Sequence, residues 1–135
     1  MSIYDKKSSQ RQVRGFIQTL QDIKEQISYS YFQRNYGRDE LGQVTEFCKI
    51  MADVLTLPPE TLIVIGKEQR YASSVQEIYE ALDERHIEIV LENINRVSYK
   101  IQNPKTYIRT ALYNSFFEIE NISANETNVR MAEND

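Results

Sequence analysis

The chain has 135 residues but only one cysteine, one histidine, three prolines, four glycines and no tryptophan. Each scarcity removes a class of explanation. With Cys48 alone there is no internal disulfide. Structural or catalytic zinc sites need several Cys or His at ligand spacing, so Cys48 and His86 are read as packing residues and no metal or cofactor is expected. A hydrolytic triad needs a nucleophile, a base and an orienting group; one histidine and no nucleophile elbow leave that pattern unfilled, and no enzyme is expected. Gly66-Lys67 lacks the glycine pattern and the following Ser or Thr of a phosphate loop. So few glycines and prolines leave no long low-complexity linker. No apolar run approaches the length of a membrane span. The first residues, Met1-Ser2-Ile3-Tyr4-Asp5-Lys6-Lys7, carry no apolar signal core, so a cytoplasmic protein with no membrane contact is expected.

The chain is otherwise ordinary for a globular domain: 41% hydrophobic, 27% charged, with a net charge of -4 and nine tyrosines. An acidic total argues against indiscriminate coating of nucleic acid but permits binding through a local basic face.

Hydrophobic periodicity sets out the elements. Residues 1–12 are polar and read as a flexible N-terminus. Val13, Phe16, Ile17, Leu20, Ile23 and Ile27 lie on one helical face. A short aromatic helix is predicted from Tyr29 to Asn35, closed by Gly37 as a C-terminal cap. A long helix starts at Asp39 and buries Leu41, Val44, Phe47, Cys48, Met51, Val54 and Leu55; Pro58-Pro59 end it. Thr61-Leu62-Ile63-Val64-Ile65 is short and β-branched, which predicts a strand. Gly66-Lys67-Glu68-Gln69 is then a turn, with Arg70-Tyr71-Ala72 returning as a second strand. Ser74-Val75-Gln76-Glu77 matches a capping box for a helix that buries Val75, Ile78, Tyr79 and Leu82. Asp83 is a predicted N-cap for a helix carrying Ile87, Val90, Leu91, Ile94 and Val97. Glu84, Glu88 and Glu92 recur every four residues and read as a solvated face. After a break at Ile101-Gln102, Asn103 caps a last helix with Pro104 at its first position. Ile108, Ala111, Leu112, Phe116 and Ile119 form its inner face. Residues 121–135 are polar and read as a disordered tail. Residues 13–120 thus form one domain: mainly α, a compact multi-helix unit with a small two-stranded β-ribbon.

One window stands apart. From Arg96 to Phe117 there are four cations and no Asp or Glu. Arg96 and Lys100 are i, i+4 neighbours before the Ile101–Asn103 corner, and Lys105 and Arg109 are i, i+4 neighbours after it. Tyr99, Tyr107 and Tyr113 are interleaved. Cations neutralise phosphates and tyrosines stack on exposed bases. The candidate nucleic-acid-binding residues are therefore Arg96, Lys100, Lys105, Tyr107, Arg109 and Tyr113. The same residues also fit a solvated face with core tyrosines, and both readings stay open at this point.

The run from Asp83-Glu84-Arg85-His86-Ile87-Glu88 through Asn103-Pro104-Lys105-Thr106-Tyr107-Ile108-Arg109-Thr110-Ala111-Leu112-Tyr113-Asn114 resembles the C-terminal domain of replication initiator A proteins of plasmids and integrative elements in Gram-positive bacteria. The likeness extends over roughly residues 27–120. That domain is similar in turn to DnaD-like replication domains, whose last helix carries Asn, then Tyr-Ile, then an apolar pair, then Trp. Here Asn103, Tyr107-Ile108 and Ala111-Leu112 match, and Ser115 stands in the Trp position. The resemblance implies a DnaD-like module that recruits host replication proteins (helicase loader, helicase or primase) to an origin and contacts single-stranded DNA. The initiators also carry a winged-helix module, which nothing in residues 1–135 matches; a C-terminal piece, or a protein lacking that module, is expected. An alternative is an oligomerisation or scaffold domain without direct DNA contact, docking a second copy through Tyr29, Tyr31 or Phe32.

Overall fold

The computed structural model describes residues 3–97 and 101–133, with side chains placed for 15–97 and 101–122. Six helices and one hairpin follow in order: α1 (Ile3–Gln26), α2 (Tyr29–Asn35), α3 (Arg38–Leu55), β1 (Leu62–Ile65), β2 (Glu68–Tyr71), α4 (Ala72–Tyr79), α5 (Glu84–Arg96) and α6 (Pro104–Glu133). The fold is mainly helical with a small two-stranded antiparallel sheet.

α3 is the hub, packing against α1, α2, α4, α5 and α6. Its apolar residues recur at helical spacing around more than one face, which suits a helix surrounded by others. Val44, Phe47, Cys48, Ile50, Met51, Ala52 and Val54 are all buried. Ile23 and Ile27 from the α1 end, Phe32, Tyr79, Ile87, Val90 and Leu112 complete one continuous core. Ile17 is exposed, although its spacing places it near the apolar face of α1. The chain reverses between α1 and α2 at Ser28, whose backbone is left-handed at φ 59°, a conformation that costs an L-residue roughly 1–2 kcal/mol.

Helix ends depart from the sequence expectation in two instructive places. Gly37 does not cap α2. Tyr36 does, in extended backbone, and Gly37 (φ -75°, ψ 177°) is the N-cap of α3. The predicted capping box at Ser74 is not formed, because α4 starts three residues earlier, with Tyr71 as its N-cap and no side-chain cap. Its first amides are satisfied by the incoming loop instead: Ala72 N–H donates to Thr61 O (2.7 Å) and Ser73 N–H to Pro59 O (3.0 Å). Gln76 donates to Val54 O and Leu57 O (3.0 and 2.9 Å) and closes the end of α3. Gln26 does the same after α4, bonding Tyr79 O and Leu82 O (2.9 and 2.7 Å).

The hairpin turn is shorter than the four-residue reading. Ile65 pairs with Glu68, leaving Gly66-Lys67 as a two-residue loop. Gly66 has φ +65° and Lys67 is not among the positive-φ residues, the sign pattern of a type II′ turn, which needs Gly at its first central position. Ile63 and Ile65 point inward while Leu62 and Val64 face solvent.

α1 and α6 are longer than the periodicity marks. α1 begins at Ile3, inside the stretch read as a flexible N-terminus, and α6 runs to Glu133, through most of the stretch read as a tail. Residues 121–133 contain neither Gly nor Pro, so nothing in them forces a helix to stop. Among the described residues no helix is long and apolar enough to cross a membrane.

Candidate functional site

The corner between α5 and α6 is where the basic window lies. Arg96 ends α5 exposed and is ion-paired with Glu92 one turn earlier. Lys100 and Tyr99 lie outside the described residues. Lys105 sits exposed in the first turn of α6, behind Asn103, whose Oδ1 accepts weakly from Thr106 N–H at 3.4 Å. Tyr107 is half-buried. Arg109 is half-buried: its carbonyl accepts the buried Tyr79 hydroxyl at 2.7 Å, while its Nε lies sealed from solvent with no acceptor. Burial pushes the Tyr79 hydroxyl well above its ordinary pKa, opposed by the nearby Arg109 cation; it therefore remains a donor at neutral pH. Tyr113 is half-buried, its ring 5.4 Å from Phe117 and under the Arg70 guanidinium at 5.2 Å.

Of the predicted six, Lys100 lies outside the described residues and Arg96 is taken up by Glu92. Lys105, Arg109 and Tyr113 follow at successive turns of α6, and Tyr113 meets the hairpin, under Arg70. The link is direct: Gly66 N–H donates to Thr110 Oγ1 at 2.8 Å. Sequence reasoning missed Arg70 because it set the turn too long. The two-residue turn puts Arg70 opposite Ile63, hence on the side of the ribbon that faces α6.

Ser115, in the position the DnaD-like pattern gives to Trp, is completely buried, and its Oγ donates to Leu112 O at 2.6 Å. That position faces the core, so it offers no surface for a ligand.

Two other readings are corrected. The aromatic patch on α2 is not exposed: Phe32 is buried and Tyr29 and Tyr31 are half-buried. Tyr29 shares a hydrogen bond with Thr45 (2.8 Å). The Glu84–Glu88–Glu92 row is not a uniform solvated face, since Glu88 Oε2 accepts the Tyr36 hydroxyl at 2.8 Å and the Tyr31 hydroxyl at 3.4 Å. Burial and the Glu88 bond push the Tyr36 hydroxyl up to about 12. The Glu88 charge raises Tyr31 too. Beside them Ser28, Ser30, Tyr31, Arg34, Glu84, Arg85 and Glu88 line an open cleft of about 460 Å³. Its charges are mixed, and Arg85 is already held by Asp83 at 2.9 Å.

His86 has a structural task. It is buried, stacks on Phe116 with ring centroids 6.2 Å apart, and its Nδ1 accepts Asp83 N–H at 2.9 Å. Asp83 in return accepts from Arg85 N–H at 3.0 Å, completing a capping box at the start of α5. Burial disfavours the Asp83 carboxylate, but hydrogen bonds from the Arg85 side chain and backbone outweigh it and hold the carboxyl below its usual range. Burial pushes the Cys48 thiol up to about 12. Among the described residues no group of three or more His, Cys, Asp or Glu is placed to hold a metal ion.

A family model described as "Family of unknown function (DUF6017)" matches residues 5–134. The chain belongs to this family. The match takes in all of α6 and all but the first two residues of α1. No curated protein and no solved structure matches the chain.

Proposed function

We propose that this chain is a DnaD-like accessory module of DNA replication initiation, working in the cytoplasm of a Gram-positive bacterium on a plasmid or integrative element. It holds host replication proteins, a helicase loader, helicase or primase, near an origin and contacts single-stranded DNA through the basic turns of α6. Its role is binding rather than catalysis. The resemblance of Asn103, Tyr107-Ile108 and Ala111-Leu112 to the DnaD-like last helix supports the class of process. The observation that carries the contact is the state of two cations. Lys105 is exposed, Arg109 is half-buried, and among the described residues neither has a carboxylate within ion-pair distance. Cations left unpaired in an acidic chain are available to phosphates.

The test is a titration of labelled single-stranded DNA with the wild type and the Lys105→Glu/Arg109→Glu variant across a range of salt. Loss of two phosphate contacts lowers the salt slope by about 1.4. Equal, salt-insensitive signals from both proteins refute the DNA contact. Pull-downs with purified helicase loader, helicase and primase test the recruitment arm, and recovery of none of them counts against it.

A second reading, self-association, is favoured by the outer face of the hairpin, where Leu62, Val64 and Tyr71 are 53%, 40% and 57% exposed. Sedimentation velocity at high concentration decides it: a monomer rules it out.

A further inference from the structure

We infer that a base of the single strand stacks on Phe117, at the end of a ridge of α6 whose cations, Lys105 and Arg109, take its phosphates. This rests on the nucleic-acid contact proposed above and adds to it the platform on which a base lies.

Three observations carry it. The first is alignment. Lys105, Arg109, Tyr113 and Phe117 recur every four residues of one helix, so they form a single i±4 ridge, with about 6 Å of axial rise between neighbours. Lys105 and Phe117, at its two ends, are exposed, and Arg109 and Tyr113 between them are half-buried. The Arg70 guanidinium lies over the Tyr113 ring at 5.2 Å and puts a third cation on the ridge.

The second is charge. From Pro104 to Phe117 α6 carries no Asp or Glu, and carboxylates return only at Glu118 and Glu120. Among the described residues neither Lys105 nor Arg109 has an ion-pair partner, and the Arg109 Nε has no acceptor. The N-terminal end of the ridge therefore attracts a phosphate backbone, and the end beyond Phe117 repels one. A strand lying along it has its phosphates towards Lys105 and a base at Phe117.

The third is the platform. Phe117 is 43% exposed, yet its ring is held in place: it packs at 5.4 Å on Tyr113 and edge-on at 5.3 Å on Phe116, which in turn stacks on the buried His86. Among the described residues no cation covers the Phe117 ring. The Tyr113 ring already lies under Arg70. Tyr71, the other exposed aromatic among the described residues, pairs with the outward-facing Leu62 and so lies on the ribbon face opposite the one that packs on α6. Phe117 is thus the ring that a base can reach beside these cations. Bases in a duplex are stacked on one another, which favours a single strand.

The chain has no tryptophan, so Phe117→Trp supplies a fluorescent probe at this one position, with Tyr71→Trp as the control on the opposite ribbon face. Titration with an oligothymidylate at low salt is expected to quench the emission of Phe117→Trp and to leave that of Tyr71→Trp unchanged. Fluorescence anisotropy of the labelled oligonucleotide at low and moderate salt then compares wild type with Phe117→Ala, Phe117→Leu and Lys105→Glu, each checked by circular dichroism for an intact fold. Phe117→Leu keeps apolar bulk and removes the ring face. Both Phe117 variants should lose about 5-fold or more in affinity, and Lys105→Glu should lower the salt slope by about 0.7. If Lys105→Glu weakens binding while Phe117→Trp is not quenched, or while both Phe117 variants bind like wild type, the base lies elsewhere: this inference falls and the α6 contact stands. If wild type fails to bind at low salt, both fall. Equal affinity for a duplex of the same length overturns the single-strand assignment. If Phe117→Ala alters sedimentation but not DNA binding, Phe117 is a protein contact and the assignment of its base is overturned.

Discussion

Replacing Asp83 separates what a helix cap contributes from what a charge contributes. Asp83 Oδ1 accepts from Arg85 N–H at 3.0 Å, and its carboxylate holds the Arg85 guanidinium through Nε and Nη2 at 2.9–3.3 Å. Its own N–H is held by His86 Nδ1. Removing a side-chain N-cap costs about 1 kcal/mol, with an upper range near 2. The Arg85 pair is exposed on one side, 59% against 34%, so it adds only about 0–1 kcal/mol. Asp83→Ala should therefore lose about 1–2 kcal/mol, a fall of roughly 3–8 °C in melting temperature for a domain of this size. Asp83→Asn keeps a good cap and discards the charge, so it should lose under about 1 kcal/mol. Chemical denaturation followed by far-ultraviolet circular dichroism measures both. The pH dependence supplies a second check. The folded carboxyl sits below its unfolded pKa, so its stabilisation is present above about pH 4 and is lost as pH falls through the folded value. The gap between wild type and Asp83→Asn should close on acidification in that window. Asp83→Ala as stable as wild type, or Asp83→Asn as damaged as Asp83→Ala, would refute the capping argument.

Three further outcomes follow from the same geometry. Tyr79→Phe deletes the buried hydroxyl bonded to Arg109 O and should destabilise by about 1 kcal/mol in urea, while a variant as stable as wild type would mean α4 and α6 are not tied there. Gly66→Ala meets no atom within 4 Å, so its loss of about 1 kcal/mol should come from the φ of +65° alone; Gly66→Asn, which tolerates that region better, should recover part of it in thermal melts. Cys48, buried with its thiol pushed up to about 12, should resist a thiol reagent in the native protein and react on unfolding. Rapid labelling under native conditions would contradict the buried placement.

The parts legible in the sequence were those set by neighbours in the chain. Asp83, three residues before His86, caps α5 because a cap is a contact over one turn, with the unusual feature that a histidine nitrogen plays the part of the customary Glu. Leu112 in the core, the stop at Pro58-Pro59 and the hairpin after Thr61 likewise follow from periodicity and proline or glycine chemistry. The box predicted at Ser74 does not form, for a tertiary reason. A backbone amide takes whatever acceptor arrives, and the acceptors at Ala72 and Ser73 came from residues 61 and 59, beyond the reach of a local motif.

The candidate surface divides in the same way. Composition alone marks the window from Arg96 to Phe117 as basic and tyrosine-bearing, because the absence of Asp and Glu is a property of the string. Which of its cations remain available is decided by three-dimensional packing. Arg96 is spent on Glu92, Ser115 turns into the core, and Tyr113 gains Arg70, some forty residues away, over its ring. One hydrogen bond, from the Gly66 N–H to the Thr110 side-chain Oγ1, ties the hairpin to α6 there, and its register depends on a two-residue turn whose length only the folded hairpin fixes. Helix content and the basic window thus follow from the order of residues. The seam that joins them to the hairpin is a tertiary product, since it is built from pairings between segments distant along the chain.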